Sequence, residues 1–189
     1  AVAPGGRLAF VTNVLSGPIS RIDLRRGVKL GDIAVGGYPE GLAITADGRH
    51  LWVGDNAAPR LRIIELATGT AIATLPTDSP AFRVAISPDG KTAVTSNIAS
   101  GTVNLFDVAA RQPLRSIVLS GSSRAMQVTI TFSGNGQRLF VAETGPGTIA
   151  EVELASGRVL RRIAGGKNAD GLGISSRNCM AGGETDAGK

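Results

Sequence analysis

The chain has 189 residues, 42% of them hydrophobic, which is enough for one domain with a buried core. No apolar run approaches the roughly 20 residues that a membrane-spanning helix needs. The net charge of +5 comes from arginines spread along the chain, and only 4% of residues are aromatic, which argues against a nucleic-acid surface. The single cysteine, Cys179, excludes an internal disulfide.

The first predicted strand lies in the segment RLAFVTN, and the same pattern returns as HLWVGDN, TAVTSN and RLFVAET. Each segment follows a glycine turn, and the turn glycines are 42, 42 and 46 residues apart. Acidic residues that end a later strand keep the same spacing. The glycines are Gly6, Gly48, Gly90 and Gly136, and the acids are Asp23, Glu65, Asp107 and Glu153. The chain is therefore built from four copies of one unit.

Within a unit the hydrophobic residues alternate with period two, which is typical of strands rather than helices. The second unit shows four such strands in order, GLAIT, HLWVGDN, LRIIEL and AIATL. Asp-Gly or Ala-Thr-Gly turns separate them, as hairpins require. Four strands in a repeat of about 40–45 residues are typical of a propeller blade. The sequence thus predicts an all-β fold, a β-propeller of four-stranded antiparallel blades with four blades in this chain.

The interval that leads to the fourth unit is longer than the others, and two small insertions are expected there. One is assigned to the GSSRAM connection before Ile130, and the other to the FSGNG turn before Gly136. In this alignment Ile130 corresponds to Ile44 and Ile86 of the earlier units. Both insertions fall in loops, where added length costs little free energy.

The first unit lacks an opening strand, because only AVAPG precedes RLAFVTN. The segment DGLGISS, residues 170–176, matches the strand that begins the other units, so we expect it to complete the first blade. This gives one domain over 1–176 and a flexible tail over 177–189. The expected repeats are 7–39, 40–81, 82–125 and 126–169. Closure within one chain, a homodimer formed by strand exchange, and membership of a longer propeller all satisfy the pattern.

The repeat resembles a known family. The segment Phe10-Val11-Thr12-Asn13 differs by one aromatic residue from Tyr-Val-Thr-Asn, and ISPDGKTAVTSN followed by GTVNLFDVAARQPLRSIVL resembles the whole unit of the YVTN family of β-propeller repeats. The resemblance extends from about Arg7 to Ser176 and implies a relative of seven-bladed propellers. It also implies a bacterial or archaeal protein that is secreted, periplasmic or part of a surface layer. The opening AVAPGG shows no signal peptide, which fits a mature product or an excerpt of a longer chain.

Four polar residues are predicted to lie at the mouth of the central channel, on loops that lead into the inner strands. They are Glu40, Arg83, Gln127 and Asp170. Two carboxylates and an arginine that converge there can hold a cation or a polar ligand. The alternative is that they are solvated loop residues which symmetry alone brings together.

Catalytic motifs are missing from the sequence. The only histidine, His50, lies in a turn without an evident partner, and neither a Gly-x-Ser-x-Gly elbow nor a Cys-x-x-Cys-His haem motif occurs. We therefore expect a non-catalytic binding or scaffolding propeller without a metal or cofactor, whose partner over the channel is a protein or a small ligand. Two alternatives stay open: a propeller subunit of a redox enzyme, like those of quinoprotein amine dehydrogenases, and a lactonase-like propeller hydrolase.

Overall fold

The computed structural model describes residues 1–174, and the regular secondary structure of this part of the chain consists almost entirely of short antiparallel strands. A single 3₁₀ turn, Ser123–Ala125, lies between β11 and β12. Within residues 1–174, no helix is long and apolar enough to cross a bilayer. The strands are β1 (Leu8–Thr12), β2 (Pro18–Asp23), β3 (Val28–Ala34), β4 (Pro39–Ile44), β5 (His50–Asp55), β6 (Arg60–Glu65), β7 (Thr70–Pro76), β8 (Ala81–Ile86), β9 (Thr92–Asn97), β10 (Thr102–Asp107), β11 (Gln112–Val118), β12 (Gln127–Phe132), β13 (Arg138–Glu143), β14 (Thr148–Glu153) and β15 (Val159–Ala164).

The strands form four sheets, each a meander of neighbours in sequence. Blade 1 is β1-β2-β3, blade 2 is β4 to β7, blade 3 is β8 to β11, and blade 4 is β12 to β15. Every neighbouring pair is antiparallel, as short hairpin connections require. The predicted all-β fold with four propeller blades is therefore confirmed, with three strands rather than four in blade 1.

Asp-Gly turns join the first and second strands of blades 2 and 3, as the sequence predicts. Gly48 and Gly90 adopt φ of +70° and +73°, a left-handed conformation that glycine reaches without steric cost. The amide of each glycine donates at 2.8 Å to the carbonyl oxygen three residues earlier. The preceding Asp47 accepts a hydrogen bond from the hydroxyl of Thr45 and another from the amide of Arg49. Local chemistry thus sets these hairpins.

The register of blade 4 differs from the sequence alignment by two residues. Phe132 occupies the position that Ile44 has in blade 2 and Ile86 has in blade 3. The placement of one insertion in FSGNG was wrong, because the turn after β12 has the same hydrogen bonds as the turns after β4 and β8. All the extra residues lie before β12, in the connection that contains the 3₁₀ turn, where added length costs little.

The hydrophobic core lies between the blades, in three clusters that each join two neighbours. We call the side of a blade that packs on the following blade its trailing face, and the opposite side its leading face. The trailing face is built from one residue of each of the three outer strands of a blade, which are β1, β2 and β3 in blade 1 and the second, third and fourth strands in the other blades. These residues are Phe10, Ile19 and Ile33 in blade 1, Trp52, Leu61 and Leu75 in blade 2, and Val94, Val103 and Ile117 in blade 3.

The blades follow one another in an arc. The inner strands carry much of the contact between blades, with β1 packed on β4, β4 on β8 and β8 on β12. Across residues 1–174, no packing of comparable extent joins blade 4 to blade 1. The four blades therefore pack in sequence order, and the two ends of the arc are separate surfaces.

The expected C-terminal strand of blade 1 is not found in the part of it that the structure describes. Residues 170–174 form no strand, and 175–176, like the predicted tail over 177–189, lie outside the described residues. The inner edge of β1 is taken instead by the first residues of the chain. Ala1 and Phe10 exchange two backbone hydrogen bonds, at 2.8 and 2.9 Å, and Val2 bridges to Ala9. A local hairpin closes a far shorter loop than a strand from the other end of the chain, so its entropic cost is lower.

Candidate channel-mouth site

The candidate site lies where the inner strands of blades 2 and 3 begin. The pairing of β4 with β5 shifts register between Pro39 and Leu42, and that of β8 with β9 shifts between Ala81 and Arg83. Such β-bulges turn side chains away from the regular pleat. Glu40 and Arg83 lie within these irregular strand starts, and their side chains meet across the junction of two blades.

An ion pair links the two blades at this point. The Nη1 of Arg83 donates to Oε1 of Glu40 at 2.9 Å, and the two side chains are 34% and 18% exposed. The guanidinium carbon of Arg83 also lies 4.5 Å from the ring centroid of Phe82, within the range of a cation–π contact. On the other side, the hydroxyl of Thr12 donates to the Glu40 carbonyl oxygen at 3.0 Å, and the Asn56 amide lies 3.5 Å from Oε2. Three blades thus contribute to one polar group.

A cavity of about 320 Å³ lies beside this ion pair, between blades 1 and 2. Its walls combine the charged pair with the apolar side chains of Phe10, Val11 and Leu42. This cavity is shallow and open to solvent. Charged groups beside apolar side chains are nevertheless the combination with which small-molecule sites fix the orientation of a ligand. The arrangement suits a small ligand, or one side chain of a larger one, with both a charged and an apolar part.

Gln127 does not join this group. It is fully buried, and its Nε2 donates to the carbonyl oxygen of Gly101 at 3.2 Å. Its Oε1 has no partner within the described residues. The two-residue difference in register places Thr129, rather than Gln127, at the position of Arg83. The sequence alignment thus assigned a core residue to the channel mouth.

Asp170 is held by blade 4. Its Oδ1 accepts a hydrogen bond of 3.1 Å from the hydroxyl of Thr129 in blade 4, and the neighbouring Ala169 accepts one of 2.8 Å from Thr144. The segment that was expected to pair with blade 1 instead lies on blade 4. Of the four predicted residues, the structure brings only Glu40 and Arg83 together.

A row of polar residues, all buried except the half-buried Asn13, lies at the ends of β1, β5, β9 and β13, and the sequence analysis missed its role. Each member accepts or donates side-chain hydrogen bonds that hold the following hairpin, and the signal was visible as a polar residue seven positions after each turn glycine. The row consists of Asn13, Asp55, Asn97 and Glu143.

Asp55 is the most heavily bonded carboxylate of this row, and its side chain is 1% exposed. Its Oδ2 accepts from Arg60 at 2.7 Å and Arg62 at 3.2 Å, while the amides of Ala57 and Tyr38 donate to Oδ1. Burial by itself would raise the pKa of Asp55, but these hydrogen bonds and the arginine charge outweigh it and hold the pKa below its ordinary value. The carboxylate therefore stays ionised as part of the scaffold.

A second cavity, of about 560 Å³, lies between blades 2 and 3 on the side of the Asp-Gly turns. His50 is there, with its Nε2 3.4 Å from a guanidinium nitrogen of Arg111. The carboxylates of Asp47 and Asp89 already accept hydrogen bonds within their own turns. Across residues 1–174, no group of three or more histidine, cysteine or acidic side chains is placed to hold a metal ion.

Comparisons with known proteins establish the fold. The chain is similar to a chain of Kuenenia stuttgartiensis hydrazine synthase, with a TM-score of 0.78 and 24% identity, over 85% of this chain and 47% of that one. It is also similar to the β-propeller domain of Myceliophteria thermophila Cps50 (Swd1), with a TM-score of 0.73 and 13% identity, over 89% of this chain and 55% of that one. The fold is a β-propeller.

These similarities extend to the fold alone, because both identities are low. The chain spans about half the length of each of these two structures. No protein-family model matches the sequence, and no curated protein is significantly similar to it in sequence. The resemblance to the YVTN repeats therefore stays a prediction from the sequence.

Proposed function

We propose that this chain is a non-catalytic propeller module that binds a small ligand, or a segment of a partner protein, at the cavity beside Glu40 and Arg83. One observation carries the proposal. Two opposite charges from neighbouring blades meet at the start of the inner strands and stay partly exposed next to an apolar concavity of about 320 Å³. Charged groups beside an apolar wall are how such sites orient a ligand.

The chemistry of the ion pair indicates which ligands to test first. A guanidinium carries five N–H donors, and Arg83 uses one short hydrogen bond, to Glu40. Its remaining donors suit a carboxylate, which arginine binds in a planar, two-point geometry. Glu40 in turn suits an ammonium group. A ligand with a carboxylate and an amine close together, such as an amino acid or a chain terminus, complements both.

The test is a binding screen on the full 189-residue chain. Amino acids, small carboxylic acids, amines and divalent cations are compared by thermal shift, and hits are measured by calorimetry. We expect an amino acid or carboxylic acid to raise the melting temperature of the wild type, and Arg83→Ala to abolish the shift. Arg158→Ala, which removes an exposed arginine of blade 4, serves as the control and should keep it. No response of the wild type to any compound would refute the proposal.

A propeller subunit of a redox enzyme is the second candidate. Its support is the structural similarity to a chain of hydrazine synthase, which concerns the fold and assigns no redox role to a residue of this chain. Affinity purification from the natural source distinguishes the two functions. A partner with a visible absorption band that co-purifies favours the redox role, and a colourless preparation favours the binding module.

We also propose that the protein works in the periplasm or on the cell surface. The support is the resemblance of its repeats to the YVTN family, whose members are typically exported. Fractionation of the source cells tests this directly. Recovery of the protein with the cytoplasmic fraction would contradict it.

A further inference from the structure

The connection between blades 3 and 4 is twice as long as the other two connections between blades. It spans 119–126, which is eight residues, whereas the connections over 35–38 and 77–80 take four residues each. All three lead into the start of an inner strand, so the extra residues lie on the same side of the propeller as Glu40 and Arg83. In repeat proteins, an insertion into one repeat maps to a loop on one face, which is often the binding face.

This loop is held between two hairpins by its backbone. The carbonyl oxygen of Gly101, in the β9–β10 hairpin of blade 3, accepts hydrogen bonds of 3.1–3.2 Å from the amides of three loop residues. The same oxygen accepts the side-chain hydrogen bond of the buried Gln127. From the other side, the β13–β14 hairpin of blade 4 donates two amide hydrogen bonds of 3.1 Å to carbonyl oxygens of the loop. The loop therefore has one fixed position at the junction of the two blades.

Both hairpins carry a glycine where the loop passes. A Cβ atom at Gly101 would overlap the amide nitrogen of Ser122, and a Cβ atom at Gly145 would overlap the carbonyl oxygen of Arg124. Only glycine allows backbones to approach this closely. A loop that is fixed in this way loses little conformational entropy when it binds a partner, which favours affinity.

The loop buries Ala125 and exposes the two residues on either side of it, Arg124 and Met126. Met126 is 45% exposed and has φ of +47°, a left-handed conformation that strains a residue with a side chain. Such strain is enriched at functional sites. The guanidinium of Arg124 forms no ion pair within residues 1–174. The loop thus presents an apolar side chain and a cation without an acidic partner on a fixed backbone.

We propose that the loop over 119–126 docks a partner protein, through an acidic segment of the partner that also carries an apolar side chain. Arg124 complements an aspartate or glutamate, to which a guanidinium donates two parallel hydrogen bonds. Met126 has a flexible, polarisable side chain that adapts to an apolar residue beside that acid. Methionine and arginine are both enriched in protein interfaces. The net charge of +5 also favours association with an acidic partner.

This docking loop is a separate surface from the cavity beside Glu40 and Arg83, so it does not depend on the ligand proposed for that cavity. Peptide selection on the full chain tests it. Random peptides displayed on phage are selected on immobilised wild type, and synthetic copies of the enriched peptides are measured by fluorescence anisotropy. We expect these peptides to be richer in aspartate and glutamate than the unselected library, with an apolar residue close to the acid.

The variants then locate the contact. Arg124→Glu should weaken peptide binding at least about tenfold, because it turns an attraction into a repulsion. Arg158→Glu is the matched control, since it makes the same change of charge at an exposed arginine in the β14–β15 turn, and it should bind as the wild type does. Arg83→Ala should also keep the peptide affinity. Circular dichroism shows that each variant keeps the sheet structure.

Met126→Gly separates docking from folding. Glycine adopts the left-handed conformation without strain, so the midpoint of urea denaturation should stay equal or rise while peptide binding weakens. A fall in the midpoint with unchanged peptide binding would show that Met126 only supports the fold. Enriched peptides without an excess of acidic residues, equal binding to wild type and Arg124→Glu, or loss of binding in Arg83→Ala alone would each overturn the proposal.

Discussion

Gly41 of blade 2 lies directly against the backbone of Arg83 in blade 3. A Cβ atom at Gly41 would come within 2.7 Å of the Phe82 carbonyl oxygen and closer still to the Cα of Arg83. Backbones can approach this closely only where one residue has no side chain. This contact brings the start of β8 near β4, and it is the reason that Arg83 reaches Glu40 across the junction.

Gly41→Ala should therefore destabilise the protein. The added methyl group meets backbone atoms that cannot rotate away, so blades 2 and 3 must separate, at a cost of about 1–3 kcal/mol of unfolding free energy. Urea denaturation followed by the fluorescence of the only tryptophan, Trp52, measures this. Gly134→Ala is the control, because beyond its chain neighbours no heavy atom lies within 4 Å of the place that its new methyl group would take. Equal midpoints for both variants would contradict the close approach.

Trp52→Ala should be the more damaging substitution. The indole is 1% exposed, and its ring centroid lies 6.3 Å from that of Phe106 in blade 3, at an angle of 59°. Removal of a buried aromatic side chain leaves a cavity and costs about 3–5 kcal/mol. Chemical denaturation followed by circular dichroism measures the loss. Tyr38→Ala, at a half-exposed aromatic residue, should cost far less, and a similar loss there would refute the assignment of the core to the blade junctions.

Asp55→Asn should reduce stability in a pH-dependent way. Because the pKa of Asp55 is lowered in the folded state, its ionised form stabilises the fold above the unfolded pKa of about 3.9. That stabilisation is lost as the pH falls through the lower, folded pKa. We expect a loss of about 1–3 kcal/mol at neutral pH, because the substitution removes charged hydrogen bonds to a buried group.

The difference between wild type and Asp55→Asn should shrink as the pH falls below about 4. Denaturation curves at a series of pH values measure it. Asp107→Asn is the control, since that side chain accepts a single turn hydrogen bond, from Ala110. If the difference in unfolding free energy between wild type and Asp55→Asn stayed constant down to the most acidic pH, the charge of the Asp55 carboxylate would not be the source of the stabilisation.

Glu40→Gln should separate binding from stability. The ion pair with Arg83 is partly exposed, and such pairs contribute less than about 1 kcal/mol to folding. The midpoint of urea denaturation should therefore change little, while the thermal shift caused by an amine-containing ligand should be lost. Glu65→Gln, at the end of β6 in blade 2, is the matched control for a change of one charge. A large loss of stability in Glu40→Gln alone would assign the pair a structural role.

Part of the candidate site was predictable from the sequence. Glu40 and Arg83 each follow a turn at the start of an inner strand, and the regular 42-residue spacing of the first three units places them one position apart in the repeat, on neighbouring blades. Gln127 was misplaced because the fourth interval has several possible alignments, and hydrophobic residues two positions apart satisfy the same alternation. Only the hydrogen-bonded pairing of β12 with β13 distinguishes them.

The number of blades, the strands of blades 2 to 4 and most of the turns follow from the sequence alone. Period-two alternation and glycine or aspartate at the turns act over a few residues, so they can be read locally. Three features depend on the tertiary structure. They are the Glu40–Arg83 ion pair, the burial of Gln127, and the pairing of Ala1–Ala3 with the edge of β1 in place of the segment over 170–174. These contacts depend on register and on competition between near and distant partners for one edge, and side-chain periodicity is the same for every register that differs by two residues.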